Sequence, residues 1–478
     1  MKIRQFFLFG IFCLISLIVN GAEIRCSTSE ELITALTTAT GGDQIILTTS
    51  GIYIVQDDVE QTDPTALAGF QRLISLAGLD DDNNPARGEG RSITLLADED
   101  LTAKPTVKGL SFSAPTTTPI AVQFEGIIFQ ACKYKYDKSD ETGTPTHTDH
   151  FIEFGGNNNG IATSPTATAT HYGNFIFRNC EFRDYQQTVL KMNSATKNTE
   201  ISGRMTVAGC VFANFNRYRK AAPDAAFNIQ TVAFSEITIV NCTAYNMGTG
   251  FLRSNMSSNN FEQTVSMSNC TFRHILGGNN KIFFDFDNSV TTTTVTVINN
   301  IIADPVYTIG ENAGTGRLVR CNGSKYSFDF SGNNIFNWTV DGTNTLADII
   351  GTGAPLNTYE PDNITPAIDP EFRDPDNGDF TLLTTNETMR AIGDPRWRTV
   401  QSSVKNVLAD VNITVQGNQI SISGSNPVVC TVFDTMGKLV FKSSETAAHI
   451  NVQIPVAGVY AVQLSDGKLK ETRKVILY

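Results

Sequence analysis

Six short stretches hold the residues with chemistry to offer: Ile152-Glu153-Phe154-Gly155, Leu190-Lys191-Met192-Asn193, Phe227-Asn228-Ile229-Gln230, Leu252-Arg253-Ser254-Asn255, Phe284-Asp285-Phe286-Asp287 and Val319-Arg320-Cys321-Asn322. Each opens on an apolar residue, so strand alternation turns that residue inward and the next one out. Stacked, the outward residues form a column of Glu153, Lys191, Asn228, Arg253, Asp285 and Arg320. Beside it runs a second column of Gly155, Asn193, Gln230, Asn255, Asp287 and Asn322. Cations and amides spread over a flat β surface suit an extended anionic glycan, through charge-assisted hydrogen bonds to its carboxylates. The same residues without a ligand form a solvated ladder of cross-strand ion pairs and stacked amides. Eleven Lys/Arg stand against six Asp/Glu between Tyr172 and Lys281, although the whole chain carries −12.

Such columns exist only if something stacks the stretches in register. A recurring phrase supplies it: Asn179-Cys180-Glu181-Phe182, Gly209-Cys210-Val211-Phe212, Asn241-Cys242-Thr243-Ala244, Asn269-Cys270-Thr271-Phe272, Asn299-Asn300-Ile301-Ile302 and Asn333-Asn334-Ile335-Phe336, at steps of 30, 32, 28, 30 and 34 residues. Alternating runs such as Met205-Thr206-Val207 precede the phrase. A period near thirty with β-type alternation signals stacked coils, each covering the apolar face of the next at about 4.8 Å. The fold class is therefore all-β, a parallel β-helix. Polar insertions around 133–148 and 157–171 read as loops outside the coil.

Composition narrows the function classes. With 36 Lys+Arg against 48 Asp+Glu, nucleic acid is excluded as the main partner, since phosphate binding draws on an excess of positive charge. No zinc spacing, P-loop, dinucleotide fingerprint or nucleophile elbow occurs, and His147, His150, His171, His274 and His449 form no ligand motif. The acidic runs Asp80 to Asn84 and Asp374 to Asp379 lack the ligand spacing of a calcium loop and read as turns.

Met1 to Ala22 has a basic start, an apolar run from Phe6 to Val19 and small residues at its end, the layout of a secretory signal peptide. No later run is apolar enough to span a bilayer. Export makes the eight later cysteines disulfide candidates, yet Cys180, Cys210, Cys242 and Cys270 share one column. In-register neighbours lie too far apart to bridge, and the four read as buried free thiols. A helix over 27–39, with Ser29 able to cap it, would plug the open end of the coil. The chain then divides into a signal peptide (1–22), a β-helix (23–397), a linker (398–410) and a C-terminal antiparallel sandwich (411–478).

The Leu32-x-x-Ala35-Leu36 helix, followed by Gly42-Asp43-x-Ile45-x-Leu47 and Gly51-x-Tyr53, resembles the start of secreted pectate-lyase-like right-handed β-helices, including the chondroitinase B and alginate lyase family. Asp369-Pro370-Glu371-Phe372 and Ile392-Gly393-Asp394-Pro395-Arg396-Trp397 resemble the closing segment of uncharacterised β-helix proteins of Bacteroidetes found with polysaccharide-utilisation systems. Asp434-x-x-Gly437-Lys438, Gly458-Val459-Tyr460 and Lys474-Val475-Ile476-Leu477 resemble the sorting domain of type IX secretion. These likenesses imply a secreted or cell-surface protein handled by the type IX machinery, with an acidic, uronate-containing polysaccharide as partner.

In the lyases of that group a lysine takes the proton α to a uronate carboxylate while a cation stabilises the enolate. The resemblance places Lys191 and Arg253 in those catalytic roles, with Asp285 and Asp287 as acidic residues for calcium. Glu153, Asn193, Asn228, Gln230, Asn255, Arg320 and Asn322 would contact the sugar. The group's Arg-His-Gly phrase and close glutamate pair are not evident here. Three readings stand: a glycan-binding β-helix, a polysaccharide lyase, and a structural or adhesive surface protein.

Overall fold

The computed structural model describes residues 21–61, 73–79, 85–114, 120–136, 146–147, 150–154, 173–185, 187–193, 199–215, 225–230, 232–255, 262–277, 281–286, 292–306, 316–321, 326–338, 364, 366–398, 411–416, 418–434, 438–456, 458–465 and 470–477. The signal-peptide segment 1–20, residues 399–410 of the linker and the insertion 157–171 lie outside them. The chain forms two compact units, divided between Thr399 and Val400.

The first unit is a right-handed parallel β-helix with three sheets. Among the described residues the first sheet has ten strands, from Glu23–Cys26 to Tyr326–Ser331. The second has nine, from Ile52–Ile54 to Asn334–Phe336. The third has eight, from Leu73–Ser75 to Gly316–Cys321. The chain visits the three in rotation, and each strand pairs in parallel with its counterparts one coil before and after.

The recurring phrase makes the corner between the first and second sheets. Its first residue is left-handed in each coil: Gly126, Asn179, Gly209, Asn241, Asn269, Asn299 and Gly332 have φ from 50° to 74°. Glycine and asparagine adopt this region at little penalty, which is why only they recur there. Gly332 fills the position in the last coil, so Ile301 pairs with Asn334 and Ile302 with Ile335. The final phrase is thus Gly332-Asn333-Asn334-Ile335, one residue earlier than its Asn-Asn pair indicates. A second left-handed corner, at Asp184, Asn214, Asn246, His274, Asp304 and Asn337, leads from the second sheet to the third.

After the first corner comes the buried column Cys180, Cys210, Cys242, Cys270, Asn300 and Asn333. The cysteines are free. Cys180 Sγ donates to Arg178 O at 3.3 Å and Cys242 Sγ to Val240 O at 3.2 Å. Where asparagine replaces cysteine its amide is satisfied: Asn300 Nδ2 donates to Asn333 Oδ1, and Asn333 Nδ2 to Val297 O, both at 2.8 Å. One step further, Phe129, Phe182 and Phe212 stack at 5.4 and 5.5 Å. Ala244 interrupts this stack, and Phe251 of the third sheet fills the gap, 5.6 Å from Phe212 and 5.1 Å from Phe272.

The helix Ser29–Thr38 buries Leu32, Ala35 and Leu36 against the first coil. Thr28, not Ser29, is its N-cap, in a capping box with Glu31. Buried Arg91 receives the other end, donating to Leu36 O at 2.7 Å and Ala39 O at 2.6 Å. Lys133–Tyr136, expected as loop, is a strand beside Val59–Gln61.

Residues 366–398 do not add a coil. They form a strap across the outer face of the second sheet, built from the antiparallel pair Phe372–Asp374 and Asp379–Leu382, the short helix Glu387–Ala391 and a 3-10 turn at Pro395–Trp397. Leu382, Met389 and Ile392 cover Ile301 and Ala303. Trp397 Nε1 donates to Thr243 Oγ1 at 2.6 Å, and that hydroxyl donates to Asp394 Oδ2 at 2.7 Å. Burial raises the Asp394 carboxyl above its ordinary range, against the pull of Arg396. Gly393 has φ +75° and lies so close that a Cβ would sit 2.6 Å from Ile301 Cδ1.

The second unit is antiparallel. Its long strand Gln419–Asp434 bends between Ser423 and Val428, pairing with Asn412–Gln416 and Ala447–Gln453 before the bend and with Leu439–Lys442 and Gly458–Ser465 after it. Ile420, Ile422, Cys430, Val432, Val462 and Leu464 are buried between the two halves.

Desolvation holds the thiols of Cys210, Cys242 and Cys270 well above their ordinary pKa. An aromatic disulfide reagent at mildly alkaline pH should therefore leave the native column unlabelled and label all four thiols after denaturation without reductant. A disulfide between any two of the four would contradict the register.

Candidate functional site

With the strap over the second sheet, the outer face of the third becomes the place to look. Its registers set Ser113, Glu153, Lys191, Asn228, Arg253, Asp285 and Arg320 opposite one another in successive coils. The outer column expected from alternation is therefore continuous, with Ser113 added at its start. Asn193, Gln230 and Asn255 follow in backbone register beside it, Asn193 against Gln230 and Gln230 against Asn255. Asp287 and Asn322 lie outside the described residues.

The side chains gather in two clusters. Lys191 Nζ donates to Glu153 Oε1 at 2.7 Å and to His150 Nε2 at 3.3 Å. An ammonium has no acceptor, so Nε2 accepts and the imidazole proton resides on Nδ1, 2.9 Å from Thr188 Oγ1. Three and four coils further on, Asp285 is held by Arg320 in a fork, Nε to Oδ1 at 3.0 Å and Nη2 to Oδ2 at 2.8 Å. Arg253 Nε approaches the same carboxylate from the other side, at 3.4 Å. Between the clusters stands Asn228, 1% exposed.

Depth separates the charges of the second cluster. The Asp285 side chain is 9% exposed, whereas Arg253 and Arg320 are 22% and 31% exposed. One carboxylate thus lies beneath two guanidinium groups, giving a net positive charge with its cationic part outermost. Planar guanidinium forks match carboxylates in geometry as well as in charge. These residues do not fit a calcium ion: both oxygens of Asp285 already face arginines, which a divalent cation would have to displace against its own charge.

Lys191 and Arg253 are not brought into contact, because Asn228 occupies the coil between them. His150 joins the site unannounced by the sequence. It lies three residues before Glu153, and strict alternation would send it to the opposite face. The chain turns a corner at Phe151 and Ile152, both fully buried, and this returns His150 to the side of Glu153.

Residues 265–397 match a domain of unknown function, DUF5123, which spans the last coils and the strap. Residues 410–478 match the secretion system C-terminal sorting domain, which coincides with the antiparallel unit. No curated protein matches. Among solved structures, a mutant of a PL6 family alginate lyase is similar at 11% identity, covering 83% of this chain and 60% of that chain, with a TM-score of 0.18. The chain thus spans less than two thirds of that lyase, and a likeness of this size carries no argument about chemistry. No described helix is long and apolar enough to cross a membrane. The sorting domain marks the protein for export by the type IX secretion machinery, to the cell surface or the medium.

Two outcomes follow from this arrangement. Asp285→Asn leaves two half-buried guanidinium groups facing each other without their shared anion, and should lower stability by about 1 to 3 kcal/mol in urea unfolding, less at high salt. Unchanged stability would show that the cluster is not formed. A chain ending at Thr399 should keep the circular dichroism and melting of the β-helix yet fail to label on intact cells; undiminished surface labelling would contradict the sorting role.

Proposed function

We propose that this secreted β-helix protein binds an acidic, uronate-containing polysaccharide along the outer face of its third sheet. The observation that carries this reading is the placement of Arg253 and Arg320 above the deeper Asp285. Lys191 extends the cationic line toward the N-terminal coils, and Asn228 lies within it. Asn193, Gln230 and Asn255 share the neighbouring backbone column, and amide residue types suit sugar hydroxyls; Asn322, expected beside them, lies outside the described residues. Glu153 holds Lys191 in place. A lyase mechanism through Lys191 and Arg253 would need both beside one reacting carbon, whereas Asn228 occupies the coil between them, so binding without cleavage is the reading favoured.

Titration calorimetry with a uronate polysaccharide and a neutral one of the same length tests it. The acidic polymer should bind and the neutral one should not, with affinity falling as salt rises. Arg253→Ala or Arg320→Ala should each weaken binding by about 1 to 3 kcal/mol, the loss of a charge-assisted hydrogen bond. Equal affinity for both polymers, or full affinity in the double variant, would refute the proposal. Appearance of the ultraviolet absorbance of an unsaturated uronate product, abolished by Lys191→Ala, would establish a lyase instead.

A further inference from the structure

Gly42-Asp43 belongs to the phrase that opens the coil, and the glycan face makes no use of it. Asp43 closes the turn between the helix Ser29–Thr38 and the strand Gln44–Leu47. Its Oδ2 accepts from Thr40 N at 2.7 Å and from Thr40 Oγ1 at 2.9 Å. Its Oδ1 accepts from Ala22 N at 2.8 Å. The carbonyl of Ala22 is held as well, since Gln44 N donates to it at 2.9 Å. From there the chain continues as Glu23–Cys26, the outermost strand of the first sheet, in register with Gln44–Leu47. Both backbone groups of Ala22 are thus committed to this turn, and a carboxylate faces a nitrogen that in an uncut chain is only a neutral amide. Immediately before it the chain runs so close over the turn that a Cβ at Gly21 would overlap Gly42 O.

We propose that the signal peptide is removed between Gly21 and Ala22, one residue earlier than the boundary read from the sequence, and that Asp43 receives the new N-terminus. Hydrolysis of the Gly21–Ala22 amide consumes one water and leaves a carboxylate on Gly21 and an ammonium on Ala22. The ammonium takes the place of the amide at the same nitrogen, so its hydrogen bond to Asp43 becomes charge-assisted. The Asp43 carboxyl already lies below its ordinary range, chiefly through the Thr40 amide, and is ionised when the ammonium arrives. An ending of the Ala-x-Ala kind is met by Val19-Asn20-Gly21 with apolar residues in both places, whereas Asn20-Gly21-Ala22 would put a polar amide in the first. A cut after Ala22 would also strip Asp43 of a donor and Gln44 N of its acceptor. The captured terminus ties the outermost strand of the sheet to the turn after the capping helix, at an edge where pairing with other chains would otherwise start.

Two measurements test this. N-terminal sequencing of the exported protein should read Ala22-Glu23-Ile24-Arg25. A chain starting at Glu23, or one that keeps residues before Ala22, would overturn the cleavage site. For the capture, chains running from Ala22 to the C-terminus are released from a fusion, and acylation of the α-amine at neutral pH is followed on the N-terminal peptide, each rate taken relative to the same chain in urea. Asp43 holds the amine in its unreactive ammonium form, so Asp43→Asn should react at least about threefold faster, the consequence of a pKa lowered by half a unit or more. A second variant leaves the carboxylate untouched: a chain beginning at Gly21 carries its ammonium past Asp43 and should react as fast as Asp43→Asn. Equal relative rates in the chains beginning at Ala22 and at Gly21 would overturn the capture, whether or not Asp43→Asn folds.

Discussion

Everything in the first unit depends on parallel strands stacking in register, one coil directly over the next. That constraint is enforced at the corners. A residue in the left-handed region turns the chain from the first sheet into the second in seven described coils, from Gly126 to Gly332, and its own amide is committed to the neighbouring coil. Asn179 N donates to Ala208 O, Gly209 N to Val240 O and Asn241 N to Ser268 O. A β-branched residue at such a corner would have to leave the left-handed region, and the strands on both sides would lose their partners.

Once the register is fixed, columns follow, and each position tolerates only what its neighbours above and below allow. The cysteine column accepts asparagine at Asn300 and Asn333 because the two amides bond to one another and to backbone carbonyls. The phenylalanine column accepts Ala244 because Phe251 enters from another sheet. On the outside, the strap seals the second sheet with a Trp397, Thr243 and Asp394 chain of hydrogen bonds. The third sheet keeps its outer charges, held in place by one another. A half-buried ladder of this kind contributes little net stability, and its value lies in fixing where charges stand.

Much of this was legible from spacing. The repeat gave the stacked coils, alternation gave the outer column from Glu153 to Arg320, and one column of cysteines indicated unpaired thiols. What escaped the sequence were places where period two or period thirty breaks. His150 reached the Lys191 cluster through a corner where Phe151 and Ile152 both turn inward. Gly332 displaced the last phrase by one residue because a left-handed corner favours glycine over the tempting Asn-Asn pair. The strap, rich in turns and without a repeat, gave no sign of which face it would cover. Nor could residue type alone show that Asp285 lies deeper than the arginines flanking it, since depth is set by three coils at once.

The central claim is that coil-on-coil register sets the spacing of the outer column, and it can be measured as a distance. Nitroxide labels at Lys191→Cys and Arg320→Cys, four coils apart, suit double electron-electron resonance, because the native thiols at Cys180, Cys210, Cys242 and Cys270 are buried and should escape labelling. The account predicts one narrow distribution centred near about 19 Å, four strand spacings, broadened only by the label linkers. A distribution displaced by a coil or more, or one with several populations, would contradict it.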